Sequence, residues 1–203
     1  MMNIKKIIKE NLNSSDTSTQ LNKIAFRAHT AGFCKRQIAL SKLGIKNFST
    51  DVLGRMKVGT LIHNWLKDIG LNISIDISLK INNDYELYFV GTCDYLDKNN
   101  IVYEFKSVSY LSNNNLKQYH LDQLLIYMKA LKSRIGCLIY INKQNLECKQ
   151  HFFEMDNDRI KKIENKVVEV YELLQKMNGN KKLINKFFPK CNCFMCEGES
   201  ANL

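Results

Sequence analysis

The sequence predicts an α/β domain, a mixed central sheet flanked by helices, and three patterns carry that expectation. Ile73, Ile75, Ile77 and Leu79 alternate with Ser74, Asp76, Ser78 and Lys80, the period of a half-buried strand. Two further strand-like stretches, 85–96 and 101–108, are joined by the polar turn Asp97-Lys98-Asn99-Asn100. Helical spacing then returns, and helix and strand alternate through the rest of the core.

The elements are expected in the following order. A polar stretch, 11–19, separates a short first helix from a second that starts near Gln20, with Ser18 or Thr19 as its cap. Residues 35–43 read as a short helix ending at Gly44. Residues 51–69 have helical spacing (Val52, Met56, Leu61, Trp65, Ile69) and stop at Gly70. After the three strands come a helix over about 116–132, a strand over 136–141 and another near 148–153. A long helix over about 158–176 follows, capped by Asp156 or Asn157 and ended by Asn178-Gly179. The whole chain, 1–203, reads as one domain. Within it lie a helical part over 20–70, a core over 71–178 and a cysteine-rich tail over 179–203.

Composition narrows the function classes. With 203 residues, 45% of them hydrophobic and 10% aromatic, the chain can bury a core and is not a disordered tail. A formal net charge of +10 points to a polyanionic partner, nucleic acid or an acidic membrane surface. Apolar runs such as 137–141 are too short to span a bilayer, and residues 1–10 lack the continuous apolar stretch of a secretory signal. The expected location is therefore the cytoplasm (a host's, if the chain is viral), with no membrane partner.

Seven cysteines do not make a disulfide framework. Cys93, Cys137 and Cys148 sit singly in apolar, strand-like stretches and read as small buried thiols. Cys191, Cys193 and Cys196 crowd into one segment just after Pro189, the single proline of the chain. Such crowding calls for a ligand.

Chemistry is suggested by the hairpin. Asp94 ends its first strand, and Glu104 and Lys106 lie on its second, two residues apart and so on one face, with Phe105 on the other. Two hard carboxylates suit Mg²⁺ or Mn²⁺. Such an ion polarises a phosphate, and a nearby ammonium offsets the charge that develops.

Gly91-Thr92-Cys93-Asp94 followed by Glu104-Phe105-Lys106 resembles the D…ExK core of the PD-(D/E)xK nucleases. Gln123-Leu124-Leu125-Ile126-Tyr127 resembles the Q-x-x-x-Y motif of their RecB-like branch, with Gln123 and Tyr127 on one helical face. Upstream, Gly59-Thr60-Leu61-Ile62-His63 resembles the G-x-x-x-H motif of the same branch. The resemblance implies a restriction-endonuclease-like core with Asp94, Glu104, Lys106, Gln123 and Tyr127 as catalytic residues. His63 would join Asp94 and Glu104 as a ligand to Mg²⁺ or Mn²⁺.

Cys34, in Gly32-Phe33-Cys34-Lys35-Arg36, and the triplet Cys191, Cys193 and Cys196 bracket that core. The arrangement is similar to the Cas four family of CRISPR-associated exonucleases and to AddB-type nuclease domains. The similarity implies that four thiolates hold a 4Fe-4S cluster, joining the N-terminal part to the tail. The triplet departs from the usual C-x-x-C followed by a longer gap, and its compressed C-x-C-x-x-C spacing suits Zn²⁺ as well.

For the substrate, the resemblance implies single-stranded DNA, cut by a 5′-to-3′ exonuclease with endonuclease activity also open. The setting would be CRISPR adaptation, viral or recombination DNA processing, with proteins of those systems as partners. Arg27, Arg36 and Arg55 are the candidate phosphate contacts, since they lie on the segments that carry Cys34 and His63. Tyr103, Tyr110, Tyr119 and Phe187 are candidates for base stacking or for the core. The alternative is a catalytically inactive or zinc-stabilised nucleic-acid-binding adaptor on the same scaffold.

Overall fold

The computed structural model describes residues 24–45, 50–71, 73–82, 84–112, 116–193 and Cys196. The expected first helix, its polar boundary over 11–19 and the caps Ser18 and Thr19 lie outside them. In chain order the elements are β1 (Ile24–Arg27), a 3-10 turn (Ala28–Thr30), α1 (Lys35–Lys42), α2 (Thr50–Asp68), β2 (Ile75–Lys80), β3 (Leu87–Cys93), β4 (Tyr95–Leu96) and β5 (Ile101–Val108). Next come α3 (Gln118–Ala130), β6 (Ile135–Asn142), β7 (Cys148–Glu154), α4 (Asn157–Met177), a second 3-10 turn (Lys181–Leu183) and α5 (Ile184–Phe187).

The local signals hold where the chain is governed by local chemistry. Asp156 caps α4 by accepting from the Arg159 N–H at 2.8 Å, and Asn178 ends that helix in the left-handed conformation at φ 45°. The helix expected to start near Gln20 does not continue over 24–27, which form β1. This strand is specified by its pairing, parallel to β3 with Ile24 opposite Leu87, and so by a contact more than 60 residues away.

The strands form two mixed sheets instead of one central sheet. The first has the order β1-β3-β2 and the second β4-β5-β6-β7. The expected hairpin survives only in part. After Cys93 the chain turns at Asp94, leaves the first sheet and enters the second, where Tyr95 and Leu96 pair with Tyr103 and Val102.

Helix α3 makes the parallel crossover from β5 to β6 and packs on both sheets and on α4. Its Leu124, Leu125, Ile126 and Met128 are buried in the main core with Phe26, Leu87, Phe89, Val102, Leu138 and Val167. A smaller cluster lies on the other face of the second sheet, where Phe105, Cys137, Ile139 and Ile141 pack under Leu66 of α2. Strand β6 therefore reads as a continuous buried run, covered on both faces. Among the described residues no helix is long and apolar enough to cross a membrane.

Because α3 joins both sheets, a void beneath it weakens both. Leu124 is fully buried, so Leu124→Ala is expected to lower the unfolding free energy by about 2–5 kcal/mol. Denaturant titration of the variant beside the wild type measures that loss.

Candidate functional site

Strand β5 brings Glu104 and Lys106 to one face because residues two apart on a strand share it. Glu104 is 3% exposed and lies beneath α3, on the side of the main core, whereas Phe105 points into the smaller cluster. The structure buries this carboxylate.

A hydrogen-bonded group surrounds it. Lys106 Nζ donates to Glu104 Oε1 at 2.8 Å and to Gln123 Oε1 at 2.7 Å. Gln123 Nε2 donates to Glu104 Oε1 at 2.9 Å and to the Tyr127 hydroxyl at 2.9 Å. The four side chains of the ExK strand and the Q-x-x-x-Y helix thus form one network. Glu104 Oε2 is buried without a hydrogen-bond partner among the described residues. Burial pushes the Glu104 carboxyl up to about 7, although the charge of Lys106 opposes the rise. An orphaned carboxylate oxygen in that position is the kind of donor a hard cation takes.

Asp94 stands at the bend between the two sheets, and its position is fixed from three sides. Its carbonyl accepts from the N–H groups of Ile73 and Ser74 at 3.0 and 3.1 Å. Its Oδ2 accepts from the Phe105 N–H at 2.8 Å, between the two motif residues of β5. Its Oδ1 meets His63 Nδ1 at 3.0 Å. Burial pulls the His63 imidazole down, but the hydrogen bond and charge of Asp94 outweigh it and the net shift is upward.

The two motif glycines are sites of close approach. A Cβ on Gly59 would come within 3.1 Å of Ser107 Oγ, so the glycine lets α2 settle on β5 one turn before His63. A Cβ on Gly91 would meet the Tyr127 hydroxyl at 3.1 Å, which is where the Gln123 hydrogen bond ends.

The second constellation is the cysteine set. Cys34 is the residue just before α1, and Cys196 Sγ lies 3.7 Å from both Cys34 Sγ and Cys191 Sγ. All four ligand atoms of Cys34, Cys191, Cys193 and Cys196 lie within 4.8 Å of one another, and among the described residues this is the one group of His, Cys, Asp or Glu that converges so closely. Burial raises the Cys34 thiol, a cost that a bound cation offsets by holding the thiolate. The two 3.7 Å separations, both to Cys196, are close to the ~3.8 Å edge of a tetrahedron with metal–sulfur bonds of ~2.3 Å.

Other expected residues are placed differently. Arg36 is 2% exposed, and its Nη1 donates to the Phe188 carbonyl at 2.6 Å. It is a strut between α1 and the tail, not a surface contact for phosphate. Arg27 is exposed at the end of β1, and the side chain of Arg55 lies outside the described residues. Cys93 and Cys137 are buried as expected, but Cys148 is exposed, because β7 is an edge strand with alternate residues in solvent. Tyr110 is 69% exposed, while Tyr103 packs against the smaller cluster and Phe187 against the main core. Two residues that the motifs did not single out lie beside Lys106. Tyr140 is its register partner on β6, and His120 sits three residues before Gln123 on α3. The helical spacing from Gln123 was the available signal for His120.

Residues 60–151 match the model of the PD-(D/E)XK nuclease superfamily. That span contains His63, Asp94, Glu104, Lys106, Gln123 and Tyr127, but none of the four clustered cysteines. The chain is also similar to the crystal structure of SSO0001, with a TM-score of 0.59 and 16% identity over 85% of this chain and 87% of that one. It is similar to an alkaline exonuclease (LHK-Exo) from Laribacter hongkongensis, with a TM-score of 0.51 and 13% identity over 79% of this chain and 93% of that one. No curated protein sequence matches the chain. The two mixed sheets flanked by helices match a PD-(D/E)XK nuclease fold.

The network makes a specific demand of Gln123. Gln123→Leu keeps the volume but removes a donor from Glu104 and an acceptor from Lys106. The expected loss is about 1–3 kcal/mol, the cost of stranding a buried polar group, read as a shifted denaturation midpoint. An unchanged midpoint would show that the network contributes nothing to stability.

Proposed function

We propose that this chain is a metal-dependent DNA nuclease with its hydrolytic centre at His63, Asp94, Glu104 and Lys106. The observation that carries this reading is the buried Glu104 carboxylate, with Oε2 unpartnered and Lys106 on Oε1, in a segment that matches the nuclease superfamily. Asp94, Glu104 and His63 would hold Mg²⁺ or Mn²⁺, and two carboxylates with an imidazole are a suitable donor set for either. The ion, when bound, supplies Lewis acidity at the phosphate and lowers the pKa of water.

The remaining work falls to the chain itself. Lys106 places a fixed ammonium beside the carboxylate, where it counters the charge that grows on a phosphate during attack. Gln123 holds Lys106 and Glu104 in one geometry, and Tyr127 anchors Gln123 from below. The net charge of +10 favours a nucleic-acid backbone as substrate. The motif resemblance supports single-stranded DNA and 5′-to-3′ exonuclease action, in CRISPR adaptation, viral or recombination processing. The exonuclease among the structures that share the fold agrees with that class of reaction.

The four cysteines are read as a metal centre that staples Cys34 to the tail. The resemblance implies a 4Fe-4S cluster there. A specific observation favours the second reading, a single Zn²⁺. All four Sγ atoms lie within 4.8 Å of one another, two pairs at 3.7 Å, a spread that suits one tetrahedral ion, whereas a cuboidal four-iron cluster holds its thiolates further apart. Metal analysis of protein purified without oxygen decides the matter. One zinc per chain and a colourless solution are expected. Four irons and a brown solution would restore the cluster.

The test of the nuclease reading uses single-stranded DNA labelled at either end. Wild-type protein should degrade it with Mg²⁺ or Mn²⁺ and stop with excess chelator. Glu104→Ala should lose several orders of magnitude in rate while keeping its cysteine-bound metal. Cys191→Ala should show the reverse signature, losing that metal and melting at lower temperature. Wild-type cleavage rates in Glu104→Ala would place the active site elsewhere.

A further inference from the structure

The geometry around Lys106 points to one more substrate-contacting group, and the inference rests on the nuclease reading above. Tyr140 is fully buried, and its hydroxyl accepts from the Lys117 N–H at 3.2 Å. The same hydroxyl lies 2.9 Å from His120 Nδ1. Either atom of the His120–Tyr140 pair can donate. With the hydroxyl donating its proton to Nδ1, the neutral imidazole carries its own proton on Nε2, and this is the tautomer that the inference requires. Burial, and then the charges of Lys106 and Lys117, push the imidazole down to about 2, so it does not become a cation at working pH.

Nε2–H has no hydrogen-bond partner among the described residues, and His120 is only half-buried. Its surroundings select an anion. Lys106 is close enough to depress the imidazole, and no acidic residue lies in the first turn of α3 to compete for the donor. His120 lies one turn before Gln123, with Lys106 and Tyr140 adjacent in register beneath it. An N–H donor beside an ammonium is the arrangement that grips a phosphodiester through two of its oxygens.

We propose that His120 contacts the substrate, donating Nε2–H to a non-bridging oxygen of the DNA phosphate that lies against Lys106. Tyr140 is the positioning residue that locks its tautomer. His120 binds phosphate and transfers no proton.

The test compares His120→Phe, His120→Gln and Tyr140→Phe with wild type. Single-stranded DNA affinity is measured by fluorescence anisotropy in Ca²⁺, and KM and kcat are measured in Mn²⁺. His120→Phe keeps a ring but loses the donor, so Kd and KM should rise by about tenfold to a hundredfold, the range for a hydrogen bond to a charged acceptor. His120→Gln places an amide N–H near the position of Nε2 and should stay within about threefold of wild type. Tyr140→Phe should fall between them, with the histidine ¹⁵N shifts changing from the pure Nε2–H tautomer to a mixture. Wild-type Kd and KM in a folded His120→Phe would overturn the proposal, as would His120→Gln binding as poorly as His120→Phe. A wild-type protein that binds DNA but does not cut it would end the nuclease reading, and the Kd comparison would still decide the role of His120. A wild-type protein that does not bind DNA would end both.

Discussion

Glu104 is a carboxylate placed where carboxylates are costly, and much of the surrounding structure follows from that. Taking an ionised group out of water is tolerable only when partners replace the lost solvation. Strand β5 supplies Lys106 from two residues away, and α3 supplies Gln123, so Oε1 is saturated. Oε2 is left over. The burial that raises the carboxyl also keeps water from competing for the space beside it, and this combination makes the position suitable for a cation.

Holding Gln123 in place imposes demands further out. Tyr127 must present its hydroxyl one turn along α3, and Gly91 must lack a side chain for that hydroxyl to fit. On the opposite side, Asp94 is set by the change of sheet that occurs there. The chain leaves β3, passes through one bend residue and begins pairing with β5, so the carboxylate is carried to the edge of the Glu104 strand. Helix α2 can deliver His63 to the same place because Gly59 allows it to sit close to β5. The motifs proposed to form the hydrolytic centre are therefore also packing motifs. Each contributes one polar group together with the small or apolar residues that position it.

Those motifs were legible because their geometry is local. Glu104 and Lys106 share a face by strand period, and Gln123 and Tyr127 by helix period, so the sequence spacing already contains the arrangement. The crowding of Cys191, Cys193 and Cys196 was legible in the spacing, whereas their convergence with Cys34 was expected only from the resemblance to the Cas four family. What depends on distant pairing was not legible. Strand β1 looks helical until β3 is present beside it, and the division into two sheets becomes visible only when Asp94 is seen to turn the chain. Arg36 has the side chain of a phosphate contact, yet the Phe188 carbonyl, 152 residues away, takes it inside. Cys148 has apolar neighbours, but the edge position of its strand leaves it in solvent.

On the proposed reading, the orphaned oxygen of Glu104 belongs to a cation site distinct from the cysteine centre. Titration of Mn²⁺ into the protein, followed by the loss of its free electron-paramagnetic-resonance signal, tests this without reference to any substrate. The wild type is expected to bind Mn²⁺ saturably, with binding abolished in Glu104→Gln and retained in Cys191→Ala. Undiminished Mn²⁺ binding by Glu104→Gln would contradict it.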